Sequence, residues 1–365
     1  MEYNIKFNRV ILFDGSYCLH RALSVPNYWD MINSKGVKTG GILGVIKTIL
    51  KELKTYNYYP IVVFDGGLSS RRLNIFPNYK RNLEKQQLLE SVQEKTEQQL
   101  IDEQFMQEYR NQREYLIDLL PKLGIPTIRV KDWEGDDILY ILSKMCLDSI
   151  VVSDDKDLIQ LIHEPEIGDN RICNIRRALN DEFWTMDTLK EMNLNIKDYI
   201  GCKAIIGDAS DNMASACYQV GDKTAMGLLT LYRNILEDDI NWPEDENTLK
   251  KICEDYNIPK RKAYLNFNEE QFLKNLLLTD LSLVDNDVNE GIIKYIQDII
   301  IQCDLVQNYE KASEILKNLE INTINANEIK NTMLWHKNFL SLQNIDKTKD
   351  IAKINKPKST SDLLF

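Results

Sequence analysis

Four short runs rich in β-branched and apolar residues stand out along the chain: Arg9–Phe13 (RVILF), Ile61–Phe64 (IVVF), Thr127–Val130 and Ser149–Ser153 (SIVVS). Each is too short for a helix, is followed by acidic or glycine residues, and then gives way to a helical pattern. Buried strands alternating with helices predict an α/β domain with a mostly parallel central sheet and flanking helices.

Between Leu83 and Leu120 the chain is polar, rich in Gln and Glu, and free of Gly and Pro until Pro121. It predicts one or two long helices with a narrow apolar stripe, on pattern alone a solvated hairpin packed on the sheet. From Asp187 to about Val284 the pattern is helical, broken at Gly207–Gly221 and at Trp242–Pro243. That predicts a second, smaller α-helical domain. More helix follows from Asn286 to about Asn344, which either completes this domain or contacts a partner. The expected division is 1–186, 187–344 and a polar, lysine-bearing flexible tail at 345–365.

Composition narrows the class. With 365 residues and 43% hydrophobic content, the chain is an ordinary globular protein of about two domains. Seven scattered cysteines without a CxxC pair and only three histidines predict reduced thiols and no zinc site. The polar start MEYNIKFN lacks a signal-peptide pattern, and no apolar stretch reaches the roughly 18 residues of a membrane span. A soluble, cytoplasmic protein with no membrane partner is expected. The net charge of −11 argues at first against a nucleic-acid binder.

The acidic residues are not scattered at random. Asp14 follows VILF, Asp65 follows VVF, and Asp155 and Asp157 follow VVS; Glu134, Asp136 and Asp137 lie in WEGDDIL, and Asp208 and Asp211 in GDASDN. Open α/β sheets bind ligands beyond the carboxyl ends of their strands, where three of these five segments end. Glu134 and Asp137 are three apart, as are Asp208 and Asp211, so each pair shares a helix or turn face. Any one of these carboxylates could be a turn former or helix cap. Nine gathered together would repel strongly unless cations were bound, and a hard divalent ion such as Mg²⁺ suits carboxylate oxygens.

The ordered set LFDGSYCLHR, VVFDGG, PNYKRN, EGDDIL, VVSDDKDLIQL, KAIIGDASDN and VGDKTAMGLL resembles the 5′ nucleases, or flap endonucleases. The similarity is to the phage-encoded type, sometimes called phage ribonuclease H, and to the 5′ nuclease domain of bacterial family A polymerases. It runs from about Arg9 to Val284. It implies a PIN-like fold with a helical arch at about 79–120 and a helix–three-turn–helix at about 203–231 in the C-terminal α-helical domain.

The same resemblance implies a structure-selective 5′→3′ exonuclease and flap endonuclease using two Mg²⁺ ions, with Mn²⁺ able to substitute. Asp14, Asp65, Glu134 and Asp136 would serve one ion; Asp155, Asp157, Asp208 and Asp211, helped by Asp137 or Asp136, would serve the other. Asp154 stands where relatives have a small residue and is left out. Lys80, Arg81 and Arg21 match cations near the scissile phosphate, and Tyr79 matches an aromatic that can stack on a base, with a packing role equally open. Lys203, Gly221, Lys223 and Thr224 match contacts to the duplex backbone; Arg176 and Arg177 could as well be structural. The hairpin SACYQVG keeps only Gly221 of the usual glycines, which counts against the family's monovalent-cation site and for altered duplex binding.

Implied partners are DNA with a 5′ flap or 5′ end and RNA–DNA hybrids, with primer removal during phage replication as the task. The terminal Asp362, Leu363, Leu364 and Phe365 resemble peptides that bind a sliding clamp, and a clamp or single-strand binding protein is the expected protein partner. The alternative from another class is a non-catalytic junction-binding or clamp-tethered module on the same fold. Setting nine clustered carboxylates aside leaves a charge of about −2, and two divalent ions would take it to about +2. The acidity that argued against nucleic acid thus partly reports the proposed metal cluster.

Overall fold

The computed structural model describes residues 5–81, 96–217, 220–227, 229 and 267–341. The sheet grows from β1 (Phe7–Asp14), whose Val10, Ile11, Leu12 and Phe13 are wholly buried. β2 (Tyr59–Val63) lies parallel on one side, with Asp14 opposite Val63; β4 (Cys146–Val152) lies parallel on the other, with Phe13 opposite Val152. β3 (Thr127–Ile128) and β5 (Ile172–Arg177) extend the parallel sheet, and β6 (Glu182–Trp184) closes it antiparallel, in the order β3-β2-β1-β4-β5-β6. Strands hidden on both faces need apolar residues at every position, hence the unbroken runs in the sequence.

β5 and β6 escaped that rule because charge interrupts them. Arg176 is buried through a pair with Glu52 at 3.2 Å and a second pair with Asp181; Arg177 Nε meets Asp154 Oδ1 at 3.1 Å. Both arginines are structural.

The described residues fall into two compact units, and the division differs from the expected 1–186 and 187–344. The first unit contains 5–67, 96–186 and 284–341; the second contains 68–81, 187–217, 220–227, 229 and 267–283. Residues 284–341 join the first unit for a physical reason. The helix Glu290–Val306 buries Ile296, Ile300 and Cys303 and packs on β3 and on the helix Glu97–Lys122, while the helix Ala326–His336 packs on β2 and on the helix Gly40–Thr55. Backbone hydrogen bonds Asn308 N to Lys122 O (2.9 Å) and Asn8 N to Leu340 O (3.0 Å) fasten the segment. Amphipathic periodicity says which face of a helix is buried, not against what.

In the second unit the helix Ser70–Ile75 packs on the helix Glu269–Thr279, with Arg72 Nε donating to Leu278 O at 2.9 Å. The helix Ile196–Ile206 shares a core with the latter, formed by Cys202, Ala204, Ile205, Cys217 and Phe272. Of the expected arch, Glu97–Lys122 is one long helix, continuing through Pro121 in its last turn. Residues 82–95, the Trp242–Pro243 break, most of the expected 203–231 motif beyond 227, and the tail with Asp362, Leu363, Leu364 and Phe365 lie outside the described residues. Among the described residues no helix is long and apolar enough to cross a membrane.

Candidate active site

Parallel pairing of β1, β2 and β4 brings their carboxyl ends to one edge of the sheet, which places Asp14, Asp65 and Asp155 there together. Asp14 ends β1 and caps the following helix Gly15–Leu23: its Oδ1 accepts from Tyr17 N at 2.9 Å and its Oδ2 from Ser153 Oγ at 3.0 Å. Only 8% exposed, it feels the chemistry of a crowded site. Burial pushes its carboxyl up from 3.8 to about 7; the Tyr17 N–H and Ser153 hydroxyl pull it down, and the charges of Asp65 and Asp155 push it further up.

Asp65 is held by the next segment. Its Oδ1 accepts from Gly135 N at 2.7 Å, at the N-terminus of the helix Gly135–Met145, where orphan backbone N–H groups favour an anion. A Cβ on Gly135 would stand 3.0 Å from that oxygen, so glycine gives the carboxylate its room. The Ser16 hydroxyl accepts Asp65 N–H at 3.2 Å. Glu134 and Asp137 are buried at 4% and 1%, with Glu134 N donating to Asp137 Oδ2 at 3.3 Å, and Asp136 is half-buried in the same first turn. Asp155 is exposed and accepts from Asp157 N at 2.8 Å, starting the 3₁₀ turn Lys156–Leu161.

Seven of the nine predicted carboxylates therefore belong to the first unit, on strand ends and helix starts. Asp154, left out on sequence grounds, pairs with Arg177 and with the Tyr17 hydroxyl. Arg21 reaches Ala178 O at 3.4 Å. Ser16, Ser153 and Gly135 are supporting residues that the sequence reading missed; each lies within two residues of a motif carboxylate or a strand end, the only signal available.

Asp208 and Asp211 belong to the second unit. Asp208 Oδ2 accepts from Lys203 Nζ at 2.7 Å, and its Oδ1 from Ser210 N and Ser210 Oγ at 2.8 and 2.5 Å. Burial works to raise its carboxyl, but Lys203 and Ser210 outweigh it and carry it down to about 2. Lys203, expected on the duplex backbone, is thus the partner of Asp208. Gly207, with φ +72 and a Cβ position 2.5 Å from Met213 O, is the residue that lets the loop turn.

Of the two roles open for Tyr79, base stacking is corrected and packing holds. Only 2% exposed, it packs with Met213 and Leu278, so its ring is core and is not offered to a base. Its hydroxyl donates to Asp211 Oδ2 at 3.2 Å, and Lys80 Nζ lies 3.8 Å from Asp211 Oδ1. Gly221 and Lys223 are exposed and Thr224 half-exposed at the start of the helical stretch 222–227, where Thr224 N and Ala225 N both donate to Gly221 O at 3.0 Å.

Among the described residues, no group of three or more His, Cys, Asp or Glu side chains is arranged to hold a metal ion directly. The donor set is nonetheless one that suits a hard cation. Several carboxylates gather at the edge, and their mutual repulsion at Asp14 is what a cation relieves; Mg²⁺ keeps several waters and so needs few direct protein ligands.

The model of the family described as "5′-3′ exonuclease, N-terminal resolvase-like domain" matches residues 9–191. The 5′-3′ exonuclease of Buchnera aphidicola subsp. Acyrthosiphon pisum is 27% identical over 306 residues, covering 80% of this chain and 93% of that one. DNA polymerase I of Lactococcus lactis subsp. cremoris is 28% identical over 272 residues, of which this chain spans only 28% of the polymerase. Among solved structures, the T5 D15 protein co-crystallized with metal ions superposes with a TM-score of 0.55 at 21% identity, covering 81% of this chain and 99% of that one. The sheet-edge carboxylates, the matched segment and the shared fold lead to one conclusion: the chain belongs to the 5′-3′ exonuclease family, whose members are metal-dependent nucleases.

Proposed function

We propose that this protein is a structure-selective 5′→3′ exonuclease and flap endonuclease that hydrolyses phosphodiester bonds of DNA or RNA–DNA hybrids with two divalent ions, Mg²⁺ in the first place. The observation that carries the reading is the gathering of Asp14, Asp65 and Asp155 at one sheet edge, with Asp14 raised by burial and by its neighbours' charge. A solved relative of the same fold, the bacteriophage T5 D15 flap endonuclease, is described in a complex with DNA and metal ions.

Asp14, Asp65, Glu134 and Asp136 would hold one ion, and Asp155 and Asp157, helped by Asp137 or Asp136, the other. Such a pair supplies an activated water and stabilises the leaving oxygen of an in-line displacement. Ser153 and Tyr17 N–H keep Asp14 oriented, and Gly135 N–H does so for Asp65. Lys80, Arg81 and Arg21 are assigned to the charge that develops on the phosphate. Gly221, Lys223 and Thr224, at a helix start, are assigned to the duplex backbone, which positions without reading sequence. Removal of RNA primers during phage replication is the task this chemistry fits.

The test offers, with Mg²⁺ or Mn²⁺, a 5′-flap duplex, a 3′-flap duplex, a blunt duplex and a single strand, each labelled separately at either end. The reading expects cuts at the 5′-flap junction and stepwise release from 5′ ends. Equal cutting of 3′ and 5′ flaps would overturn it, and tight junction binding without any cut would favour a non-catalytic module.

A further inference from the structure

The helix Glu97–Lys122 reaches Asp65 from two sides through two short relays. On the amino side, Asp65 N donates to Ser16 Oγ at 3.2 Å, and the Ser16 hydroxyl is hydrogen-bonded in turn to the Tyr109 side chain of that helix. On the carbonyl side, Arg129 Nε donates to Asp65 O at 3.2 Å, and Arg129 Nη1 donates to Glu114 Oε1 of the same helix at 3.1 Å. Gly135 N holds the carboxylate itself, so the backbone and the side chain of Asp65 are fixed separately.

Tyr109 stands on the anchored part of its helix. One turn further along, Gln112 is 1% exposed, and its Oε1 accepts Ile42 N–H at 3.1 Å, in the first turn of the helix Gly40–Thr55, where backbone N–H groups lack helical partners. Leu116, Leu119 and Leu120 follow, all wholly buried, whereas 100–104 are exposed. Burial pushes the Tyr109 phenol above its ordinary value, the Ser16 hydrogen bond pulls it back, and the charge of Asp65 pushes it up again. A half-buried hydroxyl that feels the Asp65 charge lies beside the carboxylate edge.

We infer that Tyr109 is a positioning residue for Asp65, acting through Ser16. A serine hydroxyl rotates to suit its partners, and a bond to a fixed phenol takes that freedom away. With the Asp65 carbonyl already held by Arg129, the Ser16–Tyr109 bond removes the remaining play on the amino side. A carboxylate that holds an ion must stand within about 0.5 Å of its working place, which requires supporting hydrogen bonds around it. The inference rests on the assignment of Asp65 to a divalent ion.

The test is a double-mutant cycle with Tyr109→Phe, Ser16→Ala and the pair. It is read by kcat and KM on the 5′-flap substrate with Mg²⁺, and by calorimetric Mn²⁺ binding to each full-length protein without DNA. Tyr109→Phe keeps the ring and loses one neutral hydrogen bond, so kcat should fall about 3–10-fold with KM near the wild-type value. Mn²⁺ should bind it several-fold more weakly, with Tm within a few degrees of wild type. Ser16→Ala should lower kcat about 10-fold or more, and the double variant should be no worse than Ser16→Ala alone.

A raised KM with unchanged Mn²⁺ binding would place Tyr109 on the substrate, additive losses would separate it from Ser16, and an unchanged kcat would leave it a packing residue. Each of these overturns the positioning role. Asp65→Asn, measured alongside, keeps the two readings apart. If it binds Mn²⁺ as tightly as wild type, the assignment of Asp65 to an ion fails, and the positioning role with it. If it binds Mn²⁺ poorly while Tyr109→Phe binds like wild type, the positioning role alone fails.

Discussion

The Ser153 hydroxyl donates to Asp14 Oδ2 at 3.0 Å and accepts Asp155 N–H at 3.2 Å, so one buried side chain ties the end of β1 to the loop after β4. Asp14 and Asp155 are the carboxylates whose mutual repulsion the site must hold in check. Ser153→Ala removes a hydrogen bond to a charged group, about 1.5–3 kcal/mol. The expected outcome is a fall in kcat of about 10-fold on a 5′-flap substrate, with a change of only a few degrees in Tm; both are measured on the same preparation.

Gly135 separates activity from stability more sharply. A methyl at its Cβ position meets Asp65 Oδ1 at 3.0 Å, while alanine is the better helix former by up to about 1 kcal/mol. Gly135→Ala is expected to leave Tm equal to or above wild type and to lower kcat at least 10-fold. A variant that unfolds early and keeps its specific activity would contradict the placement of Asp65.

The pair Arg176–Glu52 tests the interior instead. Both side chains are nearly inaccessible, at 5% and 1% exposure, and their contact is 3.2 Å. Removing Glu52 leaves the buried Arg176 with its second partner, the exposed Asp181, which spares part of the about 3–5 kcal/mol cost of an unpaired buried charge. Urea unfolding of Glu52→Gln should show a loss below about 3 kcal/mol.

Acid stability should report Asp169. The Arg171 side chain, through hydrogen bonds reinforced by its charge, holds this carboxyl well below its ordinary 3.8. A carboxylate depressed in the folded state adds stability above its unfolded pKa, and that stability is lost as pH falls through the folded one. Because the group is largely solvated, about 1 kcal/mol is expected. The Tm advantage of wild type over Asp169→Asn should therefore be constant above about pH 5 and shrink below pH 4.

What the sequence made legible was governed by local rules. β1, β2 and β4 are buried on both faces, so their residues had to be apolar without interruption, and the acidic residue after each run marked the sheet edge. β5 carries Arg176 and Arg177 into the interior on ion pairs with distant partners, which no local pattern encodes. For Tyr79 stacking and packing stayed open because a motif position does not tell whether a ring faces core or solvent, and the structure buries the ring. The placement of 284–341 depended on which surface its helices cover, a tertiary fact. Leaving out Asp154 rested on its standing where relatives have a small residue, and the Arg177 pair explains where it went.

The most direct measurement is the rate of 5′-flap cleavage as Mg²⁺ is titrated into metal-stripped protein, for wild type and Asp155→Asn. The account predicts no cleavage in EDTA, a rate that rises with Mg²⁺ in wild type, and a loss of at least 100-fold in Asp155→Asn at saturating metal, the size expected when charge stabilisation of the transition state is lost. Cleavage by wild type that persists in EDTA, or an Asp155→Asn variant as fast as wild type, would contradict it.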